Sequence, residues 1–178
     1  MDTNLASPAL QLRPATVADV PEILALIREL ADYEKLLHEV DASEDDLHRD
    51  LFGATPRAHC DIALSNGEVA GFALWFYNYS TFRGRAGIYL EDLFVRPVHR
   101  GHGIGKALIA HLAQRCVAEQ LPRLQWSVLD WNAPSIAFYE SIGAQVMKEW
   151  LTCRMSPAAI AALAGTRRHA AAAKGASA

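Results

Sequence analysis

The chain is poor in cysteine: Cys60, Cys116 and Cys153 are its only three, odd in number and scattered over 178 residues. That excludes a disulfide framework, and no spacing among them matches a metal knuckle, so no metal is expected. It also lacks a long apolar run. The longest stretch without a charge, Val69 to Phe82, is 14 residues, short of the ~18 that a spanning helix requires. Positive charge is not in excess either: 17 Lys and Arg against 20 Asp and Glu leave a net charge of −3. A dedicated nucleic-acid binder would carry a basic surplus. Asp2 stands where a signal peptide would place basic residues. The expectation is a reduced, cytoplasmic protein with neither nucleic acid nor membrane as partner. At roughly 150 residues per domain, it is one domain.

What the chain does have is apolar content for a core, 51% hydrophobic against 21% charged. Its charges are also divided. From Asp19 to Asp50 there are eleven acids and three bases; from Arg83 to Arg123 there are seven bases and three acids. One region suits a cationic ligand and the other an anionic one, although exposed helices are often acidic without any ligand.

The pattern predicts a loose start over 1–9, a domain over 10–156 and an Ala-rich tail over 157–178. Leu10 and Leu12 before Arg13-Pro14 predict a short first strand. Ile23, Leu26, Ile27, Leu30 and Tyr33 follow the 3.6-residue period of a helix. Ser43, with Asp46 three residues on, predicts the start of a second helix reaching Phe52. Two strands, His59–Ser65 and Val69–Asn78, flank Asn66-Gly67, a strong hairpin signal. Further strands are expected over Ile88–Val95, Leu124–Leu129 and Trp150–Arg154, with helices over Gly103–Glu119 and Asn132–Ile142. Ser156-Pro157 can open a last short helix ending at Gly165. This order predicts an α/β fold: a mixed sheet with helices on both faces.

The segment from Val95 to Lys106 is the most informative. A strand ends, and Gly101, Gly103 and Gly105 alternate into a long helix. Glycine leaves backbone amides uncovered, and a helix N-terminus adds positive potential, which together suit a phosphate or pyrophosphate. Two familiar loops fail on spacing. A dinucleotide fingerprint needs its third glycine where Lys106 stands. A Walker loop needs glycine at Arg100 and Ser or Thr at Ala107.

Arg100, Gly103 and Gly105 instead fit Arg-x-x-Gly-x-Gly, which resembles the acetyl-CoA pyrophosphate loop of the GCN5-related N-acetyltransferase (GNAT) superfamily. Leu12–Thr16, Tyr89–Val95, Val128–Asn132 and Phe138-Tyr139 through Gly143-Ala144 occur in that superfamily's order. They look most like its diamine acetyltransferase branch, which includes spermidine/spermine and thialysine enzymes. The resemblance covers about residues 10 to 155. It implies a mostly antiparallel central sheet with a splayed parallel strand pair that holds CoA, and a homodimer. It also implies acetyl transfer from acetyl-CoA to a small cationic amine by direct attack in a ternary complex.

Such a transfer needs a neutral amine, donors for the developing oxyanion and a proton for the departing thiolate. With an amine pKa near ~10 and a thiol near ~8.5, both protons must move. The resemblance makes Glu91 the base and Tyr139 the acid, although helical spacing alone reads Tyr139 as a core aromatic. It assigns the CoA contacts to Leu93, Phe94, Val95, Arg100, Gly101, His102, Gly103, Ile104, Gly105, Lys106, Asn132, Pro134 and Ser135. It assigns acceptor contacts to Tyr33, Glu34, Glu91, Asp92 and Glu149. His99 and His102 are expected to be solvated. Ser80-Thr81-Phe82, followed by Arg83 and Arg85, stands where polyamine enzymes of the branch carry acids and tryptophan, which argues against spermine. Two other functions fit the motifs: a protein or peptide lysine acetyltransferase, and a non-catalytic acyl-CoA-binding module.

Overall fold

The computed structural model describes residues 9–165. They fall into two compact units meeting at Asn132 and Ala133. The first holds a five-stranded sheet in the order β1-β2-β3-β4-β5, formed by β1 (Leu10–Pro14), β2 (His59–Ser65), β3 (Glu68–Ser80), β4 (Arg85–Val95) and β5 (Leu124–Trp126). All neighbours are antiparallel except the parallel β4 and β5. The expected mixed sheet is therefore present. Asn66 and Gly67 both take positive φ, 54° and 85°, as a tight hairpin demands.

Helix α1 (Val20–Tyr33) begins where Asp19 is pinned. Its carboxylate accepts from Arg13 Nη1 at 2.8 Å and from the Thr16 amide at 2.7 Å, and these partners hold it well below the usual carboxylate range. The helix ends in a Schellman motif: the Leu36 amide reaches back to the Ala31 carbonyl at 2.8 Å and the Lys35 amide to Asp32 at 3.0 Å. Lys35 stands where that motif favours glycine, at φ 63°. Helix α2 (Glu44–Phe52) starts at Ser43, whose hydroxyl accepts from the Asp46 amide as expected.

These helices pack on one face of the sheet, with Ile23, Leu26 and Leu51 against Cys60, Ile62, Phe72 and Phe94. Helix α3 (Ile104–Ala118) covers the opposite face, and its Leu108 and Leu112 are fully buried. At about 1.5–3 kcal/mol for each such side chain, the apolar stripe anchors α3 on its own. The N-terminus of α3 carries no side-chain cap.

In the second unit, α4 (Ala133–Ser141) ends at Gly143 with φ 94°. A further helix, α5 (157–165), is capped by Ser156 Oγ, which accepts from the Ala159 amide at 3.2 Å. Two sequence expectations need correction. β5 stops at Trp126 rather than Leu129, and Trp150–Arg154 is not a strand. Trp150 and Leu151 are 71% and 88% exposed. An apolar-rich run makes a strand only where a neighbouring edge pairs with it, and no described strand pairs with this one. Most of the expected loose start, and 166–178 of the expected tail, lie outside the described residues. No described helix is long and apolar enough to cross a membrane.

Candidate active site

β4 changes character in its middle. It pairs with β5 only from Ile88 to Leu90, so from Glu91 onward that edge has no described strand beside it. On the other side, Leu90 faces Trp75 and Asp92 faces Leu74, leaving Glu91 as an unpaired extra residue. This is a β-bulge, a device that re-aims side chains. Leu90 lies buried on the α3 face, while Asp92 shares the α1 face with Phe72 and Phe94. Glu91 is exposed between them. The parallel pair therefore separates beside the predicted acids.

The side chain of the half-buried Asp92 has no hydrogen bond or ion pair among the described residues. Burial and the nearby charges of Glu91 and Glu34 push its carboxyl up to about 7. Glu34, at the C-terminal end of α1, is also raised by burial. Three carboxylates thus converge from two elements with no cation among them, which is costly unless a positive ligand completes the set. α1 is tied to the end of β4 by Arg96, which reaches Glu22 at 2.7 Å and Glu29 at 2.8 Å. Its guanidinium also donates to the Val69 carbonyl at 3.0 Å.

The turn that follows carries Gly101 and Gly103 at φ 80° and 79°. A Cβ built on either meets no atom within 4 Å, so neither glycine is required by packing, while both leave backbone exposed. The Ala107 amide bonds back to the Gly103 carbonyl at 2.9 Å, and the amides of Ile104, Gly105 and Lys106 before it have no partner within the helix. His99, Arg100, His102 and Lys106 surround this end, and His102 is exposed as expected. An anion is the ligand that such a cradle accepts.

Arg100, at the start of the cradle, also reaches the end of β4. Its Nε donates to the Val95 carbonyl at 2.8 Å, and its guanidinium lies 5.0 Å from the Tyr33 ring centre and 5.5 Å from that of Phe94. The Tyr33 hydroxyl donates to Asn132 Oδ1 at 3.2 Å. Trp131 lies 6.3 Å from Tyr33, and the Lys35 ammonium stands 5.9 Å over its ring. Lys35, Arg96 and Trp131 were absent from the sequence-based site. Arg96, at a strand end, and Trp131, inside the Val128–Asn132 motif, carried a signal there; Lys35 did not. Pro134, Ser135, Tyr139 and Glu149 belong to the second unit, where Tyr139 packs on Phe138 at 5.3 Å and Glu149 is exposed.

The pairing of β4 with β5 thus ends beside a bulge, and a glycine turn heads the next helix. The model of the Acetyltransferase (GNAT) family matches residues 23–144, and the chain belongs to that family. Among its relatives is the thialysine N-epsilon-acetyltransferase of Bos taurus, 41% identical over 165 residues, which are 86% of this chain and 96% of that one. The L-ornithine N5-acetyltransferase of Arabidopsis thaliana is 32% identical, covering 86% of this chain and 87% of its own length. A solved integron cassette protein from the V. cholerae mobile metagenome superposes with a TM-score of 0.73 at 26% identity, covering 87% and 97% of the two chains. The chain is an acetyltransferase, with thialysine- and polyamine-type homologues.

Proposed function

We propose that the protein transfers an acetyl group from acetyl-CoA to the primary amine of a small cationic acceptor, by direct attack in a ternary complex. The observation that carries this reading is the carboxylate trio Glu34, Glu91 and Asp92 at the parting of β4 and β5. It needs a cation, and it lies on the strand that leads into an anion cradle.

Acetyl-CoA supplies the activated acyl group. The residues present fit it: open glycines at 101 and 103 and unpaired α3 amides accept a pyrophosphate. Arg100 and Lys106 add charge. The free edge of β4 over Leu93–Val95 offers backbone groups to the pantetheine arm. Asn132, Pro134 and Ser135 are carried over by resemblance, as is Tyr139, which would return a proton to sulfur. Glu91, exposed on the bulge, takes the proton from the acceptor ammonium. Asp92 and Glu34 hold the cationic group and raise its local concentration.

Thialysine- and ornithine-type acceptors in the names of two relatives fit this site, as do short diamines. Spermine fits less well, because Arg83 and Arg85 stand where acids would be needed. We also assign a cytoplasmic homodimer. Thiol release measured across a monoamine, a diamine, thialysine and spermine tests the acceptor class. The diamine and thialysine should give the highest kcat/KM. A clear spermine preference would overturn the acceptor assignment, and CoA binding without turnover on any amine would make the chain a binding module.

A further inference from the structure

Tyr33 was assigned to the acceptor by resemblance, yet its contacts in the structure are with two residues assigned to the cofactor. Its ring supports Arg100, which follows β4, and its hydroxyl bonds to Asn132, which follows β5. The two lie on opposite sides of the parting between the parallel strands. Among the described residues, Arg100 bonds only through its Nε, to the Val95 carbonyl, and its two terminal nitrogens meet no acceptor. The rings of Tyr33 and Phe94 lie against that fork, at 5.0 Å and 5.5 Å. Asn132 is 5% exposed, so the Tyr33 hydroxyl reaches a buried amide rather than a mobile surface group.

The end of α1 is held to the same place by a second contact, Lys35 on Trp131. Lys35 makes it from a left-handed backbone that lysine seldom adopts. Two adjacent contacts from one helix end meet two consecutive residues of the turn after β5.

We propose that Tyr33 is a positioning residue for acyl-CoA: it holds the Arg100 guanidinium in place at the start of the 101–106 cradle, where a pyrophosphate can meet it, and links it to Asn132. The proposal rests on the reading of 101–106 as the CoA cradle. A guanidinium oriented before binding loses less freedom when it meets phosphate, so its support shows as cofactor affinity. The acceptor is held separately, by carboxylates that are not among the described partners of the Tyr33 side chain, Arg100, Asn132 and Trp131.

The test is CoA titration by calorimetry together with steady-state kinetics on the full chain. Tyr33→Phe removes the bond to Asn132 and keeps the ring under Arg100; Tyr33→Leu removes both. CoA affinity should fall about fivefold in the first and ~20-fold in the second, the sizes of one neutral hydrogen bond and of that bond plus a cation–π contact. The KM for the amine at saturating acetyl-CoA should stay within twofold of the parent. Unchanged CoA affinity with a raised amine KM would place Tyr33 in the acceptor site and overturn the proposal. So would an equal loss on both sides, the mark of general loosening. If the leucine variant does not fold, the phenylalanine variant decides alone. A parent that binds no CoA would overturn the cradle reading itself, a failure distinct from a parent that binds and variants that match it.

Discussion

Asp92 couples stability to pH in a direction opposite to most carboxylates. Its carboxyl is raised from 3.8 to about 7, first by burial and then by the charges of Glu91 and Glu34. Between those two values the folded chain keeps a proton that the unfolded chain has released, so stability falls as pH rises across that window. At ~1.4 kcal/mol for each pH unit, the full span is worth at most about 4 kcal/mol. Above pH 7 the ionised group destabilises by that whole amount; below pH 4 the effect vanishes. Asp92→Asn keeps the shape and removes the charge. It should raise the melting temperature at pH 8 by roughly 5–10 °C, since ~1 kcal/mol moves a domain of this size by ~2–4 °C. At pH 5 the gain should shrink to less than half, and it should nearly disappear at pH 4, close to the unfolded value. Acetylation should fall in the same variant, as expected where a functional charge is held against its own stability. Glu34→Gln removes one of the repelling charges, so in that background the gain from Asp92→Asn at pH 8 should be smaller. Melting curves at pH 5 and 8 provide the measurement. An equal gain at both would refute the reasoning, because burial and repulsion act only on the charged form.

Gly103→Val puts a branched side chain at φ 79° in the open space of the cradle. Backbone strain should cost about 1–2 kcal/mol of stability, while CoA binding by calorimetry should drop by far more than that strain explains. An affinity equal to the parent's would remove the cradle from the site. Tyr139→Phe deletes one hydroxyl and little packing. If it is the acid that serves sulfur, kcat at saturating acetyl-CoA should fall ~10²–10⁴-fold with the melting curve unmoved, and turnover within a few-fold of the parent would make it a packing residue.

The elements that carry strong local signals were legible in the sequence. Ser43 with Asp46, Asn66-Gly67 and the apolar period of α1 each specify structure within a few residues, so no distant information is needed. The turn at Gly101 and Gly103 was legible for the same reason: a left-handed backbone favours glycine, and the spacing shows it. β5 and the segment around Trp150 were not, because a strand's extent depends on the edge it finds. The bulge was hidden more deeply. Ile88, Leu90, Asp92 and Phe94 alternate without a break, so the pattern places them on one face. The pairing with Trp75 and Leu74 divides them between two. The Tyr33–Arg100 and Tyr33–Asn132 contacts join residues 67 and 99 positions apart, and only the folded sheet brings them together.

Removal of Glu91 as a whole residue would leave Leu90 and Asp92 adjacent in the chain and already on opposite faces, as neighbours in a regular strand must be. The sheet would close over the gap with every other pairing kept. The candidate base is thus a guest in its strand, supernumerary to the architecture. Position 91 can therefore change its chemistry, or vanish, with the fold barely registering the loss. Asp92 has no such independence, since it faces the core packed under α1. A lineage that altered the reaction could do so at 91 alone, whereas one that altered residue 92 would be repacking the protein.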